Sequence, residues 1–196
     1  MRTTALVVLF ALGAAAAASA QQESPYGKPA AIIVSGPEEG ARPPDFSLPA
    51  ASADSVEGPD QFFSLGLQRG KVVVLAFYPR DFTKGCTAEM TTFNQQYDDL
   101  FGRDVVVVGI NADSLETHRR FAQSLGLRFS LLTDAGQKIS KQFGSADRDG
   151  YNRRTVYVIG RNGEVAYRDM QFGALDPKAY SRLKEAVQAA VKKPSR

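Results

Sequence analysis

The chain has 196 residues, 43% of them hydrophobic, with a formal net charge of +3 and a pI near 9.0. Its Lys and Arg residues are spread along the sequence with no long block of like charge, which argues against nucleic-acid binding. A single Cys excludes an internal disulfide and any exchange chemistry that needs two thiols in one chain.

Residues 1–20 read as a signal peptide. Arg2 supplies the positive charge, residues 5–18 are almost wholly apolar, and Ala18-Ser19-Ala20 forms a small-residue cleavage site. The apolar run is short of the about 20 residues that a membrane span needs. A periplasmic or secreted mature chain without membrane attachment is therefore expected, with a retained anchor as the alternative. A lipid anchor would need a Cys just after the cleavage site, and the one Cys is Cys86. Residues 21–43, rich in Pro and Gly, read as a flexible leader, in which Ala31-Ile32-Ile33-Val34 is either a short edge strand or a sticky patch. Residues 44–196 are enough for one domain with a sizeable core.

Within that domain, residues 71–78 (KVVVLAFY) form a near-continuous apolar, β-branched run, the pattern of a strand buried on both faces. A helix is predicted over 83–100, then a second buried strand over 104–110 (DVVVVGI). Residues 114–125 form an amphipathic helix with Leu115, Phe121, Ala122 and Leu125 on one face, Ser114 as cap and Gly126 as terminator. His118, the single His, lies in a charged stretch beside Arg119 and Arg120 and is expected to face solvent rather than to bind a metal. A short strand follows over 128–133 and a helix over 135–143, closed by Gly144. Strands over 155–159 and 164–168 are joined by Gly160-Arg161-Asn162-Gly163, a hairpin turn. The last helix spans 177–191, with Asp176 as cap and Pro177 in the first turn. This order predicts an α/β, thioredoxin-like fold: a central mixed β-sheet flanked by helices.

Cys86 stands in the first turn of the helix that follows the first buried strand. Unpaired N–H groups and the positive end of the helix dipole favour thiolate there, and thiolate is the nucleophile. Pro79 ends the strand and can shield the sulfur from water. Thr83 is one turn before Cys86, where its hydroxyl can donate to the sulfur, hold a peroxide oxygen or simply cap the helix.

Pro79, Thr83 and Cys86 form P-x-x-x-T-x-x-C, which resembles the active-site signature of peroxiredoxins of the AhpC/TSA superfamily. The longer string FYPRDFTKGCTAEM is similar to the Q-type, or bacterioferritin-comigratory-protein, branch, as are RPPDFSLPA, INADSLETHRRFAQSLGLRFSLLTD and RRTVYVIGRNGEVAYR. The resemblance covers nearly the whole domain. It implies a thiol-dependent peroxidase that reduces hydrogen peroxide and organic hydroperoxides without cofactor or metal. It also implies an active-site Arg at Arg154, with Arg153 as the fallback if the register slips by one, and a supporting acid at Glu89 that holds it. A guanidinium beside the sulfur would stabilise thiolate and orient the peroxide. Members of this branch often act as monomers, and many carry a resolving Cys five residues after the peroxidatic one. Here that residue is Thr91, so a 1-Cys cycle that ends on an external thiol or thioredoxin-like reductant is expected. The rival readings are an exported partner-binding module that keeps Cys86 as a relic, and a one-thiol oxidoreductase without peroxidase activity.

Overall fold

The computed structural model describes residues 35–54, 61–147 and 150–194. Residues 1–20, the Ala31-Val34 stretch and the rest of the leader up to residue 34 lie outside them. The described strands are β1 (Ser47–Ala51), β2 (Gln61–Ser64), β3 (Val72–Phe77), β4 (Val105–Asn111), β5 (Ser130–Thr133), β6 (Thr155–Ile159) and β7 (Val165–Asp169). The helices are α1 (Lys84–Gln95), α2 (Tyr97–Leu100), α3 (Leu115–Leu125), α4 (Lys138–Gln142) and α5 (Pro177–Lys192). One mixed sheet has the order β2-β1-β5-β4-β3-β6-β7. Its centre, β5-β4-β3, is parallel, and β6, β7, β1 and β2 pair antiparallel.

The unbroken apolar run of β3 follows from burial on both faces. Val72, Val74, Ala76 and, beyond the strand, Tyr78 enter one core with Met90, Phe93, Phe121 and Leu183. Val73, Leu75 and Phe77 enter a second core with Phe46, Phe143 and Tyr157. β6 divides in the same way, Val156 and Val158 to the first core and Tyr157 and Ile159 to the second. This is the α/β, thioredoxin-like arrangement expected from the element order. Gly160 N–H donates to the Glu164 carbonyl (2.8 Å) and Gly163 N–H to the Gly160 carbonyl (2.8 Å), closing the expected hairpin.

Several expectations require correction. The helix over 83–100 is two helices: Gln96 leaves helical geometry (φ −101°, ψ 19°), and Tyr97 turns to donate its hydroxyl to the Val105 carbonyl at 3.1 Å. The helix over 135–143 begins only at Lys138. Gly136 and Gln137 take positive φ (77° and 58°), and the buried Asp134 carboxylate accepts the Ile139 and Ser140 N–H groups instead. His118 is fully buried, not solvent-facing. It shares the inward face of α3 with Phe121 and Ala122, at the i, i+3 and i+4 positions. The packed chain also begins before Pro44. Gly40 N–H donates to Val165 O (2.8 Å), Val165 N–H to Ala41 O (2.9 Å), and the Arg168 guanidinium reaches the Ser35 carbonyl and Glu38 carboxylate. Residues 40–41 thus cover the outer edge of β7.

Candidate active site

The site forms where the parallel strands end. Tyr78 extends β3 by donating its N–H to the Ile110 carbonyl of β4 (3.1 Å), after which half-buried Pro79 turns the chain out of the sheet. Phe82 has φ 57°, a strained conformation for a bulky residue, and its ring rests on Phe121 at 5.0 Å between centroids. Thr83 follows in extended geometry at the N-cap position, and α1 starts at Lys84. Cys86 is therefore in the first turn, its side chain fully buried. A position in the first turn lies near unpaired backbone N–H groups and the positive end of the helix dipole.

Arg154 comes from the loop immediately before β6. Its Nη2 donates to Cys86 Sγ at 3.3 Å, and its Nη1 donates to Glu89 Oε2. Glu89 is one turn after Cys86 on α1 and fully buried, whereas the Arg154 side chain is 21% exposed. One planar guanidinium thus joins the sulfur to a buried carboxylate. Burial pushes the Glu89 carboxyl up to about 7, against the opposing pull of Arg154. Burial disfavours the charged Arg154 as well, but Glu89 and Cys86 outweigh it and the guanidinium stays above its ordinary range. Glu89 Oε1 is buried and has no hydrogen-bond partner among the described residues, which agrees with the dominance of desolvation. Gly85 makes room for this approach: a Cβ there would lie 2.7 Å from Arg154 Nη2.

The structure brings Cys86, Arg154 and Glu89 together. Arg153 is exposed, with its N–H donating to the Ser145 carbonyl (2.7 Å). The Thr83 hydroxyl neither caps α1 nor donates to the sulfur. It donates to the Arg80 carbonyl at 3.1 Å, so a role at the sulfur requires rotation about its Cα–Cβ bond. Thr91 is half-buried on α1. Among the described residues, no group of three or more His, Cys, Asp or Glu side chains is placed to hold a metal ion.

Sequence reasoning missed a buried polar cluster beneath the Pro79–Thr83 turn. Asp81 accepts from the Tyr78 hydroxyl (2.6 Å) and from Asn111 Nδ2 (3.1 Å) at Oδ1, and faces His118 Nδ1 (2.8 Å) at Oδ2. Burial and the adjacent Asp81 hold the Tyr78 phenol well above its usual range, so it remains a donor. A second chain runs from Gln137 Nε2 to Asn152 Oδ1 (2.9 Å) and from Asn152 Nδ2 to the Ile110 carbonyl (3.1 Å). The α3 periodicity was the available signal, because it puts His118 in line with Phe121 and Ala122.

A thiol at a helix N-terminus, touched by a guanidinium that a buried acid holds, is arranged for nucleophilic chemistry on a small polar substrate. The AhpC/TSA family model matches residues 40–168. Chloroplastic peroxiredoxin Q of Sedum lineare is 38% identical over 129 residues, 65% of this chain and 66% of that protein. Chloroplastic peroxiredoxin Q of Suaeda salsa is 36% identical, the match spanning 69% of this chain and 61% of that protein. A Coxiella burnetii protein assigned as peroxiredoxin bcp is 33% identical over 136 residues, 66% of this chain and 85% of that protein. The chain thus spans just under two thirds of the length of the plant relatives and most of the bacterial one. Among solved structures, the reduced 2-Cys peroxiredoxin of Plasmodium vivax superposes with a TM-score of 0.66 at 27% identity, covering 79% of this chain and 99% of that one. The fold also matches peroxidoxin BcpB of Mycobacterium tuberculosis, with a TM-score of 0.66 at 24% identity over 78% of this chain and 97% of that one. With Cys86, Glu89 and Arg154 inside the matched region, the chain belongs to the AhpC/TSA family, in its peroxiredoxin Q branch.

Proposed function

We propose that this protein is a thiol-dependent peroxidase that reduces hydrogen peroxide and organic hydroperoxides at Cys86, and that an external thiol restores it. The observation that carries the reading is the Arg154 guanidinium, which contacts Cys86 Sγ at 3.3 Å while Glu89 holds its other end. The Cys86 thiolate attacks the hydroxyl oxygen of ROOH. The O–O bond breaks, RO⁻ leaves and takes up a proton as ROH, and Cys86 becomes sulfenic acid. Arg154 and the α1 N-terminus stabilise the charge that moves through this step, and Thr83, once rotated off Arg80, aligns the peroxide.

The sulfenic acid then condenses with an external thiol, releasing water and forming a mixed disulfide. A second thiol, small or on a thioredoxin-like protein, attacks that disulfide and frees Cys86. Action as a monomer, as the resemblance to the Q-type branch implies, is part of this reading. The Arg2, apolar-run and Ala18-Ser19-Ala20 pattern supports export to the periplasm or beyond.

Peroxide consumption with a small-thiol donor tests the reading in wild type, Cys86→Ser and Thr83→Val. Turnover is expected to vanish in Cys86→Ser and to fall about 10²-fold in Thr83→Val. Equal rates in all three would favour a partner-binding module.

A further inference from the structure

Asp81 is in the turn that carries Thr83 and the start of α1, and its carboxylate is buried. Three side chains from three elements meet it: the Tyr78 hydroxyl at the end of β3, Asn111 Nδ2 at the end of β4 and His118 Nδ1 on α3. The side chains of His118 and Asp81 are both fully buried. The Asp81 backbone is held as well, because its N–H donates to Asp113 Oδ2 at 2.8 Å, and Asp113 N–H in turn donates to Asn111 Oδ1 at 2.6 Å. The next residue, Phe82, is in the left-handed region, and such a conformation persists only where its surroundings over-determine it. Thr83 comes immediately after. None of these four side chains has a part in the chemistry proposed above.

We propose that Asp81, held by His118, is a positioning residue for the Cys86 site: the buried carboxylate–imidazole contact fixes the Pro79–Thr83 turn and, through it, Thr83 and the amino end of α1. Release of Asp81 lets Phe82 relax toward an ordinary conformation, which shifts Thr83 and the first-turn N–H groups relative to the sulfur. A shift of about 1 Å in such a site costs on the order of 10²-fold in rate. The inference rests on the peroxide-reducing role of Cys86.

Three variants test it. His118→Phe keeps ring bulk and removes the donor. His118→Asn keeps an N–H near the Nδ1 position. Asp113→Ala frees the Asp81 N–H from a partly exposed site and leaves the core intact. Each is measured for thermal midpoint, for the second-order rate of Cys86 with hydrogen peroxide, and for the thiolate absorbance of Cys86 against pH. His118→Phe and Asp113→Ala are expected to slow the peroxide reaction by about 10- to 100-fold and to raise the pH at which the thiolate appears, with His118→Asn recovering most of both. Folded variants with a lowered midpoint but the wild-type rate and thiolate titration would overturn the inference and leave the cluster as core support alone. If His118→Phe does not fold, Asp113→Ala decides. A wild type inert to peroxide would instead defeat the peroxidase reading, and the thiolate titration would still test the positioning.

Discussion

A guanidinium can meet two anions at once because its nitrogens share a fixed plane, and Arg154 does so between Cys86 and Glu89. Lysine is a point charge on a flexible stem and cannot hold both. Arg154→Lys is therefore expected to lower kcat/KM for peroxide by about 10²- to 10³-fold with a small change in stability, as read by stopped-flow kinetics beside thermal denaturation. Gly85→Ala places a methyl group 2.7 Å from Arg154 Nη2, too close to be tolerated, and the flexible end of that side chain can retreat. The rate should fall while the thermal midpoint barely moves; an unchanged rate would contradict the close approach. Glu89 gives a prediction in pH. Its folded value of about 7 is above the ordinary 4.5, so between those values the folded state keeps a proton that the unfolded state has lost. Stability should accordingly fall by roughly 3 kcal/mol as pH rises through this window, with the loss complete above about pH 7. Urea denaturation across the window should show this slope in wild type and a flatter profile in Glu89→Gln. At this scale the family resemblance pointed to Arg154, with Arg153 as the fallback. The backbone bond from Arg153 N–H to Ser145 O leaves Arg154 as the side chain that reaches the sulfur. Gly85 was invisible in advance, because nothing in the sequence says that a guanidinium from 69 residues later needs that space.

Elements were legible wherever one physical demand dominated. β3, β4 and β6 are buried on both faces, so their apolar runs are nearly unbroken and their ends match the pattern within a residue or so. α3 was legible in both caps: Ser114 Oγ accepts the Thr117 N–H at 3.2 Å, and Gly126 takes φ 56°. Because Gly126 alone meets that backbone demand cheaply, Gly126→Ala should cost about 1 kcal/mol without altering the peroxide rate, checked by urea denaturation. Elsewhere tertiary contacts outweighed the local pattern. Residue type and charged neighbours suggested an exposed His118, but its position on the α3 face carried the stronger information. The start of α4 is set by Asp134 accepting two N–H groups, and the break at Gln96 by the reach of Tyr97 to Val105. Neither has a periodic signature.

At the scale of the whole molecule, the parallel centre of the sheet ends at one edge, where β3 leads into the Cys86 turn and β4 supplies Ile110 and Asn111. The Ile110 carbonyl accepts both the Tyr78 N–H and Asn152 Nδ2, and so ties the turn before Cys86 to the loop before Arg154. On the function proposed above, this site performs the first half of a peroxidase cycle, and because the chain has one Cys the second half falls to an external thiol. Mass spectrometry of the purified protein, treated with increasing hydrogen peroxide in the absence of thiols, tests this most directly. Addition of one oxygen at Cys86, then of a second with excess peroxide, is expected, with no internal disulfide at any stage. An unmodified Cys86 thiol at millimolar peroxide would contradict it.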